Sequence, residues 1–267
     1  MQDEETLKSH EVFDDLVYLR EFYNHLSTSV FQWCRSGVNA IGNIDSYLYS
    51  SAAGTIDSIS LVLGNARIAD AYALLRRFYD SAILNVYIDE LSDKWKSSLS
   101  SDLNAFKWQE EIEGWMKGDT SLPEFRIMSQ VIRQSKRLAP LNSILYADDR
   151  YKLLRDRCNS HTHFNYYRNV LVNDNEIHLP QRSNLFAKFR FDIIDVALLH
   201  MTYVYQAMPH YLMSSDYMDC RECGMEPEEG AEYWVAPFLQ EFFDKYFKTR
   251  RSDLAQQILA NSSMQLS

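Results

Sequence analysis

Between Arg155 and Asn165 the chain places two arginines, two histidines and two asparagines within eleven positions, reading Arg155-Asp156-Arg157-Cys158-Asn159-Ser160-His161-Thr162-His163-Phe164-Asn165. Arginine is a permanent cation whose forked donors match phosphate oxygens. Histidine moves protons near neutral pH. Together they suit phosphodiester chemistry: cutting RNA through its own 2′-hydroxyl needs proton transfer and stabilised charge, which these side chains supply without a metal. The expected catalytic set is Arg155, His161, His163 and Asn159, the asparagine orienting a histidine or the substrate. Arg157, Arg150, Lys152 and Arg168 are the expected phosphate-holding residues. The competing reading is structural, with helix-end histidines, arginines paired to Asp148, Asp149 or Asp156, and Asn159 and Asn165 as C-caps.

Charge favours the functional reading locally. The chain carries a formal charge of −10, so it cannot coat nucleic acid by bulk attraction. From Glu124 to Arg168, however, nine Lys/Arg residues face four Asp/Glu, a net +5. A polyanion would bind there.

These residues resemble the HEPN superfamily (helical nucleotide-binding domains of prokaryotes and higher eukaryotes), whose motif is R-x(4–6)-H. Arg155 to His161 fits with a polar Asp156 after the arginine, and Arg157 to His163 fits as a second register. Cys158-Asn159, His163 and Asn165 also match a C-N-x-x-x-H-x-N pattern of other bacterial helical proteins, which often carry an earlier helix like Leu74-Leu75-Arg76-Arg77-Phe78-Tyr79-Asp80. The resemblance covers two helices, about a third of the chain. It implies a metal-independent endoribonuclease of a toxin or defence type, acting as a homodimer on RNA without a cofactor. The alternative it leaves open is a non-catalytic module that binds a nucleotide or a regulatory protein partner.

The elements that must position these side chains are helical. Gly (8) and Pro (6) are scarce and aromatics make up 13%, which disfavours turn-rich sandwiches and barrels. Leu16, Leu19, Tyr23, Leu26, Val30 and Trp33 recur at steps of three and four, predicting a helix from about Glu11 to Cys34. A second helix is expected over Ile44–Leu63, with Tyr47, Ile56, Ile59 and Leu63 inward and a Gly64-Asn65 stop. A third runs from Arg67 to about Leu91, with Arg76 and Asp80 spaced to pair, followed by a loop. Further helices are expected over Asp102–Met116, Pro123–Leu138 and Leu141–Tyr146, and from near Tyr151. On that last helix Tyr151, Leu154, Cys158 and His161 share the apolar face, leaving His163 the more exposed histidine.

The single β signal is Val170-Leu171-Val172, a polar Asn173-Asp174-Asn175 turn, and Ile177-His178-Leu179, which reads as a hairpin. A long helix follows from Leu185 to about Tyr211, then an aromatic helix over Val235–Phe247 and a frayed end from Asn261 to Ser267. The expected fold is therefore all-α, a helical bundle with one small β-hairpin insertion. Residues 1–213 form the core and 214–267 a C-terminal appendage.

Other chemistries lack their signatures. Cys220-Arg-Glu-Cys223 has no second ligand pair for zinc, so no metal site is expected. Neither a glycine-rich phosphate loop, a G-x-S-x-G elbow nor H-E-x-x-H occurs. No apolar run approaches the length of a membrane span, and the few, irregular cysteines suit a reducing cytoplasm.

Overall fold

The computed structural model describes residues 9–33, 41–98, 105–177 and 179–267. Helix α1 (Val12–Trp33) buries Leu16, Leu19, Tyr23, Leu26 and Val30, as their spacing requires. It packs against α2 (Ile44–Gly64). On α2 the stripe of Ile56, Ile59 and Leu63 continues seven residues back to Tyr49 rather than to Tyr47, which is 43% exposed. The helix stops as expected at Gly64, but the left-handed residue that ends it is Ala66, at φ 56°. Arg67 N donates to Val62 O and Ala66 N to Leu63 O, the paired bonds of a Schellman turn.

Helix α3 (Ile68–Ser98) is the spine. It runs past Leu91, where a loop was expected, because residues 92–98 contain no Gly or Pro to break it. Its side chains Asp89 and Glu90 also hold Arg137. Around it lie α4 (Ala105–Lys117), α5 (Phe125–Gln134), α7 (Arg150–Thr162) and α9 (Arg182–Ala207), with the short α6 (Ala139–Leu145) against α9. Helix α9 is buried nearly all round over Ile193–Tyr205 and ends ahead of Pro209, which lacks the N–H needed to continue it.

The expected hairpin is absent. Val170 and Leu171 belong to a short helix, α8 (Tyr167–Leu171), and His178 lies outside the described residues. Three-residue arms are too short to pair alone, and their polar groups are engaged elsewhere. Asn173 Oδ1 accepts the Asp70 amide at 3.1 Å, capping the start of α3. Arg182 Nη2 donates to the carbonyls of Asp174 and Ile177, at 2.7 and 3.1 Å. Among the described residues the one β contact is an isolated antiparallel bridge between Met213 and Val235.

Residues 214–267 contribute α10 (Ser215–Glu222), α11 (Pro237–Phe242), a π-turn over Phe243–Phe247, α12 (Lys248–Arg250) and α13 (Ser252–Asn261). Leu239, Phe242, Phe243, Phe247, Leu254 and Ile258 join the same hydrophobic cluster as α1, α3 and α9. The buried Asp15 carboxylate accepts from Tyr246 Oη at 2.7 Å and from Arg190 Nε at 2.5 Å, tying this segment to α1 and α9. The expected frayed end is held too: Gln265 N donates to Tyr233 O at 2.8 Å, and Met264 is buried.

Candidate functional site

Helix α7 carries the arginine-histidine segment, and its geometry sorts that segment into two groups. At about 100° per residue, positions six apart point roughly 120° away from each other, whereas positions four apart differ by about 40°. Neither R-x(5)-H register is therefore brought together. Arg157 and His161, four apart, line one cleft. Arg155 and His163, eight apart, meet a different cluster on α3.

That second cluster is a chain of polar contacts. Arg155 Nη1 donates to Asp80 Oδ1 at 2.5 Å while its guanidinium lies over the Phe125 ring, 3.2 Å from the centroid. Asp80 also pairs with Arg76 at 4.0 Å, the i,i+4 pair expected from sequence. Arg76 Nη1 donates to His163 Nε2 at 3.2 Å. Since arginine can only donate, His163 accepts at Nε2 and carries its proton on Nδ1. His163 is exposed, as expected.

The cleft side is better enclosed. A cavity of about 390 Å³ opens between α3, α7, α8 and α9, with Tyr72, Arg157, His161, Arg168 and Lys188 in its wall. His161 stacks on Tyr72, centroids 4.4 Å apart and planes at 7°. Below them Asp192, almost fully buried on α9, accepts from the Tyr72 hydroxyl at 2.9 Å and takes Arg157 in a two-pronged pair, Nε to Oδ2 at 2.9 Å and Nη2 to Oδ1. Burial, helped by the neighbouring cations Arg168 and Lys188, pushes the His161 pKa down to about 4. The imidazole is thus neutral at physiological pH. Its Nδ1 is buried and has no hydrogen-bond partner among the described residues.

The remaining candidates fall as follows. Arg150 lies between Asp148 and Asp195, at 3.8 and 3.6 Å, and Lys152 is 3.9 Å from Asp149. Asn159 lies inside α7, where its carbonyl accepts the His163 amide at 3.0 Å; the C-cap is His163, not Asn159. The Asn159 side-chain Oδ1 is buried without a partner among the described residues. Arg168 reaches the cleft from α8. Among the described residues neither Arg168 nor Lys188 forms an ion pair. Asn169, buried, donates from Nδ2 to Ser160 O and Oγ at 2.8 and 2.9 Å, clamping α8 to the end of α7.

No family model, curated protein or solved structure matches the chain. The likeness to HEPN proteins accordingly stands on the motif residues alone.

Sequence reasoning missed Tyr72, Asp192, Asn169 and Lys188. Tyr72 is a core residue of α3, 2% exposed, that also forms the cleft floor. Asp192 left one legible signal, a carboxylate inside the apolar run of α9, which calls for a cationic partner. Cys220-x-x-Cys223-Gly224 proves to be a helix end: Met225 N donates to Cys220 O at 2.9 Å around Gly224, at φ 72°. No cluster of three metal-ligating side chains occurs among the described residues.

Proposed function

We propose that this protein binds a phosphate-bearing ligand, a nucleotide or a segment of RNA, in the cleft beside Tyr72 and His161. The observation that carries the reading is the pair Arg168 and Lys188, two cleft cations without a carboxylate partner among the described residues of an acidic chain. Arg150, Lys152, Arg155 and Arg157, by contrast, already have carboxylates and are poor recruits for a new anion. The neutral His161 imidazole, stacked on Tyr72, adds an uncharged flat wall beside those cations.

A second reading, metal-independent endoribonuclease, is favoured by that same imidazole, which is uncharged and can accept the 2′-hydroxyl proton. With a pKa near 4 it is a weak base and a poor acid at neutral pH. Protonation of the leaving oxygen would have to come from elsewhere, because His163 lies with Arg76 in the other cluster. A second copy of the chain could supply it, which fits the homodimeric toxin or defence enzymes that the motif resembles.

Binding is tested by titrating labelled RNA and a free nucleotide into the wild-type chain and into Arg168→Ala and Lys188→Ala. Each substitution is expected to weaken binding roughly tenfold and to reduce the salt slope by about one. Unchanged affinity in both variants removes the cleft. Cleavage is tested with RNA in EDTA: loss of activity in His161→Ala supports the enzyme reading, and equal cleavage by wild type and variant excludes it.

A further inference from the structure

Helix α7 ends in a Schellman turn. Asn165 N donates to Ser160 O at 3.0 Å and Phe164 N to His161 O at 3.3 Å. The left-handed position between them, usually glycine, is occupied by Phe164 at φ 47°. The turn leads directly into α8, and three aromatic side chains face outward there: Phe164 is 46% exposed, Tyr166 59% and Tyr167 76%. Large apolar side chains are costly to leave in water, and these three exposed rings are concentrated within four residues at one turn. The platform is held in place, since Asn169 clamps α8 to Ser160.

The platform also adjoins the cleft. The Arg168 guanidinium carbon lies 5.5 Å from the centroid of the Tyr166 ring, and the same side chain lines the cavity with Lys188. Arg168 therefore joins the cleft to the exposed Tyr166 ring, with Phe164 and Tyr167 two and one residues from it along the chain. An anionic polymer that carries a planar group at each repeat matches both features at once, and base–aromatic stacking beside a cationic track is how unpaired strands are held without sequence preference.

We infer that Phe164, Tyr166 and Tyr167 form a stacking subsite for the bases of an unpaired nucleic-acid strand whose phosphates pass Arg168 and Lys188. This rests on the cleft reading above and extends it from a single phosphate-bearing ligand to a strand. In a duplex the bases already stack on one another, so their faces are not open to the tyrosines. The subsite selects single strands over duplexes.

The test measures anisotropy of labelled single-stranded RNA, single-stranded DNA, the matching RNA duplex and a mononucleotide, with wild type and with a Tyr166→Ala/Tyr167→Ala double variant. Exposed positions leave the fold intact, which circular dichroism checks. Expected are tighter binding of single strands than of duplex, and a loss of about tenfold or more for single strands in the double variant. Mononucleotide affinity should be unchanged, and Tyr166→Phe/Tyr167→Phe should bind strands like wild type. Unchanged strand binding in the double alanine variant, with mononucleotide still bound, overturns the subsite and spares the cleft. Failure of wild type to bind either strand or mononucleotide overturns both. A wild-type dimer that the double variant converts to monomer assigns the tyrosines to a second copy and overturns the subsite.

Discussion

His200 sits in the middle of the core with both ring nitrogens engaged. Asn85 fixes its own orientation by donating from Nδ2 to Asp45 at 2.6 Å, so its Oδ1 must accept from His200 Nε2 at 2.9 Å. His200 Nδ1 then accepts from the Tyr23 hydroxyl at 2.9 Å, and one tautomer of a neutral ring satisfies all three groups. Burial depresses its pKa to about 3, and that of His161 to about 4. Between those values and the ordinary 6.5 the unfolded chain binds more protons than the folded one, so stability is full above 6.5 and falls as pH drops toward 3. Urea midpoints across that range should decline with acidification, by up to about 1.4 kcal/mol per pH unit from His200. A flat profile would refute the neutral buried ring. Ala66 offers a residue-scale test of opposite sign. An alanine at φ 56° pays a steric cost that glycine does not, so Ala66→Gly should raise stability by about 0.5–1 kcal/mol in denaturant melts.

Between elements, the decisive contact is the one that seats α7 against α9 and α3. Asp192 receives Arg157 and Tyr72 in a setting where its carboxylate is nearly inaccessible. An ion pair of this kind adds little over an apolar pair of the same shape, but removing one partner leaves a desolvated charge. Asp192→Ala should cost about 3 kcal/mol, and Asp192→Leu combined with Arg157→Met should recover most of it, as a double-mutant cycle in urea would show. The same pair explains why Arg157 lines the cleft yet is committed to structure, whereas Arg168 and Lys188 have no carboxylate partner among the described residues. On the other side of α7 the Arg155–Asp80–Arg76–His163 chain links that helix to α3 at the surface, where such contacts contribute only modestly.

For the molecule as a whole, one hydrophobic cluster runs from Val12 to Met264. Its C-terminal part is anchored by more than apolar contact: Asp15 joins α1 to Tyr246 and Arg190, and Arg251, buried, donates from Nη1 to the Tyr151 hydroxyl at 3.3 Å. Deleting residues 214–267 would expose Leu239, Phe242, Phe243 and Phe247 together with the surfaces they cover on α1 and α9. The shortened chain is expected to aggregate or to lose its near-ultraviolet circular dichroism, and the full chain to unfold in one transition. A truncated chain with an intact cooperative melt would contradict this. No helix among the described residues is long and apolar enough to cross a membrane.

The order of the main helices, the inward stripe of α1, the Arg76–Asp80 pair and the relative exposure of His161 and His163 were all legible in the sequence. Each follows from spacing along a single helix, which local periodicity records. The hairpin was misread because three apolar residues on either side of a polar turn satisfy a strand pattern until a cap on α3 and an arginine from α9 claim their polar groups. That Arg157 and His161 line one cleft, instead of either motif register coming together, required the helix to run unbroken through His161. Which cations lack a carboxylate partner among the described residues required more still. Asp80 is 75 positions from Arg155 and Asp192 is 35 from Arg157, separations across which a sequence carries no periodic signal. Electrostatic neutralisation depends on distance in space, so only the packed helices decide which charges remain for a ligand.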